Sequence, residues 1–432
     1  MYKDFIKLTI PNILTNLTVP LVSIVDVMLM GHMDDAKYII AIGLSVAIFN
    51  MLYWAFGFLR MGTTGQVAQA YGKGSDVAIQ HVLVKGVSIA TLLGVIFILF
   101  QSPLLSMANR VLDVSATSFN LIDSYFSIRI YTAPASIVLF VINGWLLGIQ
   151  RPRLALIIAV LINVVNILVS VVLVQSFGLG IKGVAIGTLI AQYAGLSLGV
   201  FFIYKKYGMT WISYFRTGLP RDSGWKEFVQ VNGDLFIRTL CLLFTMTFFK
   251  VNAAELEQSL GAGNLLLLEF ISLSAYGIDG LAFAAESISG KDFGRGRLDL
   301  VKKSIKVAFQ IGLLIGLVGS VVFFVFGRSI LELLTNQQDV IQAAISYLPW
   351  VIVAPIIHSV AFIWDGIYIG CTASKQMKWS LLISTFLVFL PSYYLFLSLF
   401  GNHGVWLAFT LFMVSRGIIQ TLQAKKGIYD RL

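Results

Sequence analysis

Apolar residues run almost unbroken over stretches of about 20 positions, the length a helix needs to cross a bilayer. A membrane barrel would alternate apolar and polar positions instead, so the continuous runs predict helices. Twelve spans are read, at 6–30, 39–59, 82–101, 125–148, 154–176, 183–204, 228–252, 264–288, 304–327, 346–370, 379–399 and 404–423. Short polar segments separate them, so successive helices must turn back beside one another.

Composition agrees. Of 432 residues, 58% are hydrophobic and 12% charged, with a mean hydropathy of +0.86. Soluble domains carry about 25% charged residues, so the chain is an all-α, multi-pass integral membrane protein whose surroundings are lipid. Its start, "MYKDFIKLTIPNIL", has no small-residue cleavage site, and the first span is expected to remain as its own signal. Cys241 and Cys371 lie in apolar runs and fit neither a disulfide nor a metal motif.

The net charge of +10 follows from topology and calls for no nucleic-acid partner. Arg60, Lys73 and Lys85 follow span 2, and Arg151 and Arg153 follow span 4. Lys205, Lys206, Arg216 and Arg221 follow span 6; Lys291, Arg295 and Arg297 follow span 8; Lys375 and Lys378 follow span 10. The odd-numbered loops carry acids instead, such as Asp34, Asp113 and Glu332. By the positive-inside rule the even loops and both termini face the cytoplasm.

Weak matches recur at one spacing. "NGWLLG" (143–148) returns as "DGIYIG" (365–370), and "YGKG" (71–74) as "FGRG" (293–296), both 222 residues on. "KGVA" (182–185) returns as "HGVW" (403–406), 221 residues on. Six spans per repeat give both halves the same orientation, with a pseudo-two-fold axis along the membrane normal. The expected organisation is a six-helix lobe at 1–205, a basic connector at 206–227 and a second lobe at 228–432. Two such lobes suit a transporter that works by alternating access.

Polar residues at membrane depth are the candidate chemistry, because ionisable groups there usually mark pathways. Asp26 sits in "LVSIVDVMLMG" (21–31), in the outer half of span 1. It can carry a proton or a cation; the plainer reading is a carboxylate held by neighbouring donors. Pro20, six residues earlier, lets span 1 bend. On span 5, Asn163, Asn166 and Ser170 can form a network with Asp26 or serve as interhelical glue. In the second half, Asp234 and Arg238 lie four apart and are expected to pair on their helix. Asp279 and Glu286, seven apart on span 8, and Asp365 on span 10 are candidates for a second cation route or a lobe-closing ion network. Met28, Met30, Trp54, Phe56 and Met61 can line a cavity for apolar cargo, or simply face lipid.

"PNILTNLTVPLVSIVDVMLMGHM" (11–33), "GFLRMGTTGQVAQAYGKG" (57–74) and "YGIDGLAFAAESISGKDFGRG" (276–296) resemble the multidrug and toxic compound extrusion (MATE) family, in its DinF-like branch. The resemblance covers nearly the whole chain. It implies a two-lobed fold, with Asp26 matching the first-helix aspartate implicated in cation or proton coupling and Asn166 matching the fifth-helix asparagine. Ser170 stands where an aspartate is often found. Asp365 resembles the tenth-helix aspartate that binds cation in the NorM-like branch, whose seventh-helix glutamate has no counterpart here. That departure favours protons over sodium.

The resulting expectation is a secondary antiporter of bacterial inner membranes, acting as a monomer without a cofactor. It would exchange amphipathic, often cationic, drugs or metabolites for protons or sodium ions. The alternative is a flippase for lipid-linked or polysaccharide cargo, which would need more basic residues in its cavity than Arg129 and Arg238. The four histidines are scattered and form no constellation of a membrane enzyme. No GxxxxGK[ST] loop is present to bind a nucleotide.

Overall fold

The computed structural model describes residues 1–31, 37–112, 116–220, 223–254 and 257–432, of which 19–24, 108–109, 111–112, 116–117 and 254 are described by their backbone alone. Among these residues the chain is helical throughout, with no strand. The first half comprises α1 (Tyr2–Gly31), α2 (Lys37–Trp54), α3 (Gly57–Gly72), α4 (Asp76–Leu99), α5 (Gln101–Leu112), α6 (Ala116–Arg129), α7 (Ala133–Gly148), α8 (Pro152–Val171), α9 (Gly180–Tyr207) and α10 (Thr210–Thr217). The second half comprises α11 (Trp225–Ala254), α12 (Gln258–Gly294), α13 (Leu298–Leu334), α14 (Gln338–Gly370), α15 (Ser374–Leu382), α16 (Leu390–Phe400) and α17 (Asn402–Gly427).

Ten helical stretches among the described residues are long and apolar enough to cross a membrane. The first and seventh expected spans are the 30-residue helices α1 and α11, long enough to cross by length. A helix therefore stands at each predicted span, but several helices overrun them. Span 8, expected over 264–288, extends over Gln258–Gly294; span 9, expected over 304–327, extends over Leu298–Leu334. The overrunning turns mix apolar residues with polar and charged ones such as Lys291, Asp292, Lys302 and Arg328, so the apolar run ends although the helix continues.

Two local readings change. Arg60, placed in a loop, lies on α3, which continues span 2 after a short turn at Ala55–Phe56. Span 4 is two helices, α6 and α7, joined by a 3-10 turn at Ile130–Thr132. Pro134 stands in the first turn of α7, where its missing N–H leaves no intrahelical bond unmade.

The repeat is visible in the backbone. Gln150 (φ 60°) and Thr372 (φ 48°), the non-glycine residues with positive φ among the described residues, stand 222 residues apart. Gly74 (φ 70°) and Gly296 (φ 69°) share that spacing. The helices of span 5 and span 11 each contain a π-helical stretch, at Val172–Ser176 and Ile383–Phe389.

The described chain forms two compact units. One holds Leu14–Val67 and Ser75–Phe228; the other holds Met1–Ile13, Ala68–Gly74 and Val229–Leu432. Glycines explain why two early segments join the second unit. A Cβ on Gly280 would lie 2.4 Å from the Ile13 side chain, and one on Gly294 would lie 2.2 Å from the Gln69 carbonyl. Both helices therefore touch backbone to backbone, and Gln69 Nε2 adds hydrogen bonds to the Gly370 carbonyl and Thr372 Oγ1, each 3.0 Å.

Candidate functional site

Asp26 is 2% exposed, on the last third of α1. Among the described residues its Oδ1 has no hydrogen-bond partner. The charge that acts on it is Arg129, at the end of α6. Arg129 Nη1 donates to the Tyr125 hydroxyl, and its guanidinium stands 4.8 Å from the Phe49 ring centroid and 5.3 Å from that of Tyr125. The Arg129 carbonyl accepts from Thr132 Oγ1 at 2.7 Å, and Thr132 Oγ1 lies 2.6 Å from the Tyr53 hydroxyl. Pro20's side chain lies outside the described residues; the α1 backbone runs through that position as helix.

α8 presents its three candidates toward two neighbours. Asn163 Nδ2 donates to the Thr18 carbonyl of α1 at 3.0 Å. Asn166 Nδ2 donates to Thr188 Oγ1 of α9 at 3.0 Å. Ser170 is fully buried against Gly187, where an added Cβ would lie 2.2 Å from its Oγ. The Oδ1 of Asn166 and the Oγ of Ser170 have no hydrogen-bond partner among the described residues. Unfilled polar atoms at that depth carry a cost unless a group fills them in some state of the cycle. The described hydrogen bonds of α8 thus run to Thr18 and Thr188.

In the second unit, Asp365 on α14 is ringed by donors. Its Oδ2 accepts from Arg416 Nη2 at 2.6 Å and from Arg238 Nη2, and its Oδ1 accepts from Gln420 Nε2 at 2.7 Å. α11, α14 and α17 meet at this carboxylate. Arg416 is fully buried, and it stands 5.4 Å from the Phe412 ring and 5.8 Å from the Phe362 ring. Asp279 is half-buried on α12 and acts electrostatically on Arg416. Glu286 is fully buried seven residues later, and its carbonyl sits where a Cβ on Gly370 would be 2.3 Å away.

Asp234, expected to pair with Arg238 one turn on, instead bonds Lys378 Nζ and accepts from Ser374 Oγ at 3.0 Å. The reason is reach. Arg238 turns to Asp365, and α15 brings Lys378 to Asp234. Among the described residues no group of three or more His, Cys, Asp or Glu could hold a metal ion.

A family model described as MatE matches residues 11–172 and 237–395. The chain belongs to the MatE family. DNA damage-inducible protein F of Escherichia coli (strain K12) is 31% identical over 411 residues, covering 95% of this chain and 89% of its own. Multidrug export protein MepA of Staphylococcus aureus (strain MSSA476) is 20% identical over 408 residues, covering 94% of this chain and 89% of its own. A solved structure described as the outward-facing conformation of a multidrug resistance MATE family transporter superposes with a TM-score of 0.89. It is 19% identical, covering 99% of this chain and 96% of that one.

Within this MatE chain, sequence reasoning missed Tyr125, Thr188, Arg416 and Gln420 as partners of the buried carboxylates and amides. Arg416 had a signal: it is a charged residue inside span 12. The others are ordinary polar residues on helix faces, and nothing local distinguishes them. Outside the spans, burial pushes the Cys371 thiol up to about 12, with Arg431 opposing.

Proposed function

We propose that this MatE chain is a secondary active antiporter in a bacterial inner membrane, with both termini cytoplasmic. It exports amphipathic, often cationic, small molecules while protons enter. The observation that carries the reading is Asp26: a buried carboxylate whose Oδ1 has no hydrogen-bond partner among the described residues, on the helix that Asn163 ties to α8. A group that binds either a proton or a cationic cargo, but not both, links the two fluxes. Protonation would cancel the charge and let the cargo leave; cargo arriving from inside would displace the proton. The relative named as a multidrug export protein supports this cargo class.

Protons are preferred over sodium because Asp365, the residue that resembles the cation-binding tenth-helix aspartate, already faces two guanidiniums. The same pairing weighs against a flippase, since two of the buried guanidiniums are engaged with protein rather than with a phosphate-bearing cargo. The chain needs no cofactor and works as a monomer in this reading. Its test is efflux of a cationic dye from proteoliposomes under a proton gradient and, separately, a sodium gradient. Dye movement driven by protons and lost in Asp26→Asn is the expected result. Full-rate movement in Asp26→Asn rejects the role given to Asp26.

A further inference from the structure

Arg129 is not used by the mechanism above, yet it is the charge that acts on Asp26. Its surroundings do not neutralise it. Two aromatic faces and one phenol hold the guanidinium, and among the described residues its buried Nε has no hydrogen-bond partner. Asp26 mirrors this with a buried Oδ1 that lacks a donor among the described residues. No ion pair within contact distance joins the two among the described residues.

The packing brings them to one place. Met30 follows Asp26 by one helical turn and shares its face of α1. Met30 lies in the same buried cluster as Phe49 and Tyr125, the two rings that carry Arg129. The face of α1 that bears Asp26 thus approaches the aromatic seat of the guanidinium. Around that seat stand Tyr53 on α2, Tyr125 on α6 and, acting on Tyr53, Tyr193 on α9. These are phenols, so Arg129 is the cation of the group. A guanidinium stays charged under all working conditions.

We infer that Arg129 is a tethered counter-ion that competes with cationic cargo for the carboxylate of Asp26. With the site empty and Asp26 ionised, the guanidinium reaches the carboxylate. A proton or a cationic cargo sends it back to Phe49 and Tyr125. Arg129 thereby sets the threshold a cargo must overcome, which makes it a specificity-determining residue. The inference rests on the reading of Asp26 as the coupling group.

The test uses equilibrium binding of tetraphenylphosphonium to the full-length protein in detergent. This cation neither titrates nor hydrogen-bonds, so it reports charge competition alone. Five proteins are compared: wild type, Arg129→Gln, Arg129→Lys, Asp26→Asn and the double variant Asp26→Asn/Arg129→Gln. If the paired state outweighs the open one by about ten to one, Arg129→Gln binds about ten-fold tighter. Arg129→Lys keeps a tethered cation and stays near wild type. Asp26→Asn binds more weakly, and Arg129→Gln adds nothing in that background.

An unchanged affinity in Arg129→Gln overturns the inference. So does an equal gain with and without Asp26, which is repulsion through space, and so does a loss of binding in both Arg129 variants, which is a structural role. Wild-type affinity in Asp26→Asn overturns the coupling role itself, an outcome distinct from the others.

Discussion

Arg416 and Asp365 meet at 2.6 Å inside the second unit, with Arg416 fully buried and Asp365 5% exposed. Arg238 bonds the same carboxylate oxygen. Two positive groups on one negative group bind three helices, and the arrangement depends on the acid more than on either base.

Asp365→Asn is therefore expected to destabilise the protein strongly. Removing one partner of a buried pair costs about 3–5 kcal/mol, because the other charge stays buried. The unfolding temperature in detergent should drop. Arg238→Gln should have a smaller effect, since Arg416 and Gln420 still hold the carboxylate. Equal drops in the two variants would contradict the asymmetry.

Sodium should find no vacancy at Asp365, because two tethered cations hold its Oδ2 and the Gln420 amide holds its Oδ1. Replacing choline by sodium at constant ionic strength should leave the unfolding temperature unchanged. A rise with sodium that disappears in Asp365→Asn would show that the guanidiniums yield to the ion.

Gly72 and Gly43 should respond oppositely to alanine. A Cβ on Gly72 would lie 2.1 Å from the Lys291 carbonyl, while nothing lies within 4 Å of one on Gly43. Overpacking costs about 1–3 kcal/mol, whereas glycine to alanine within a free helical position gains about 0.5–1 kcal/mol. Thermal unfolding of Gly72→Ala and Gly43→Ala reads both signs.

Cys371 should resist thiol reagents in the folded protein. The thiolate is the reactive form, and a thiol raised to about 12 is protonated throughout the neutral range. At pH 8 the thiolate fraction is about 10⁻⁴. Burial in the turn between α14 and α15 adds a steric barrier. Maleimide labelling followed by mass spectrometry should find Cys371 modified only after denaturation.

The spans could be read from the sequence because hydrocarbon leaves a continuous apolar run one outcome, a helix. The repeat could be read because weak matches fell at a common spacing, and Gln150 and Thr372 now show why: the same unusual turn is made twice. α3, α5 and α10 were not foreseen. α5 and α10 are short and of low mean apolarity, and their polar residues read as loop. Partners of buried charges were the least accessible feature. Asp234 and Arg238 sit four apart and invite pairing, yet their true partners, Lys378 and Asp365, lie 144 and 127 residues away. Local spacing says which residues could meet; only the packing of α11 against its neighbours decides which do.

The π-helical stretches at Val172–Ser176 and Ile383–Phe389 give each repeat a store of slack. A wide turn holds one residue more than the α ladder requires. Such a surplus can migrate along a helix as donors re-pair one position over, without exposing backbone to lipid. Each residue advances an α-helix by about 100°, so a surplus passing Ser170 and Asn166 would swivel that polar face relative to the outer end of its span. A helix built this way can redirect its side chains by rotation, with no break in its length.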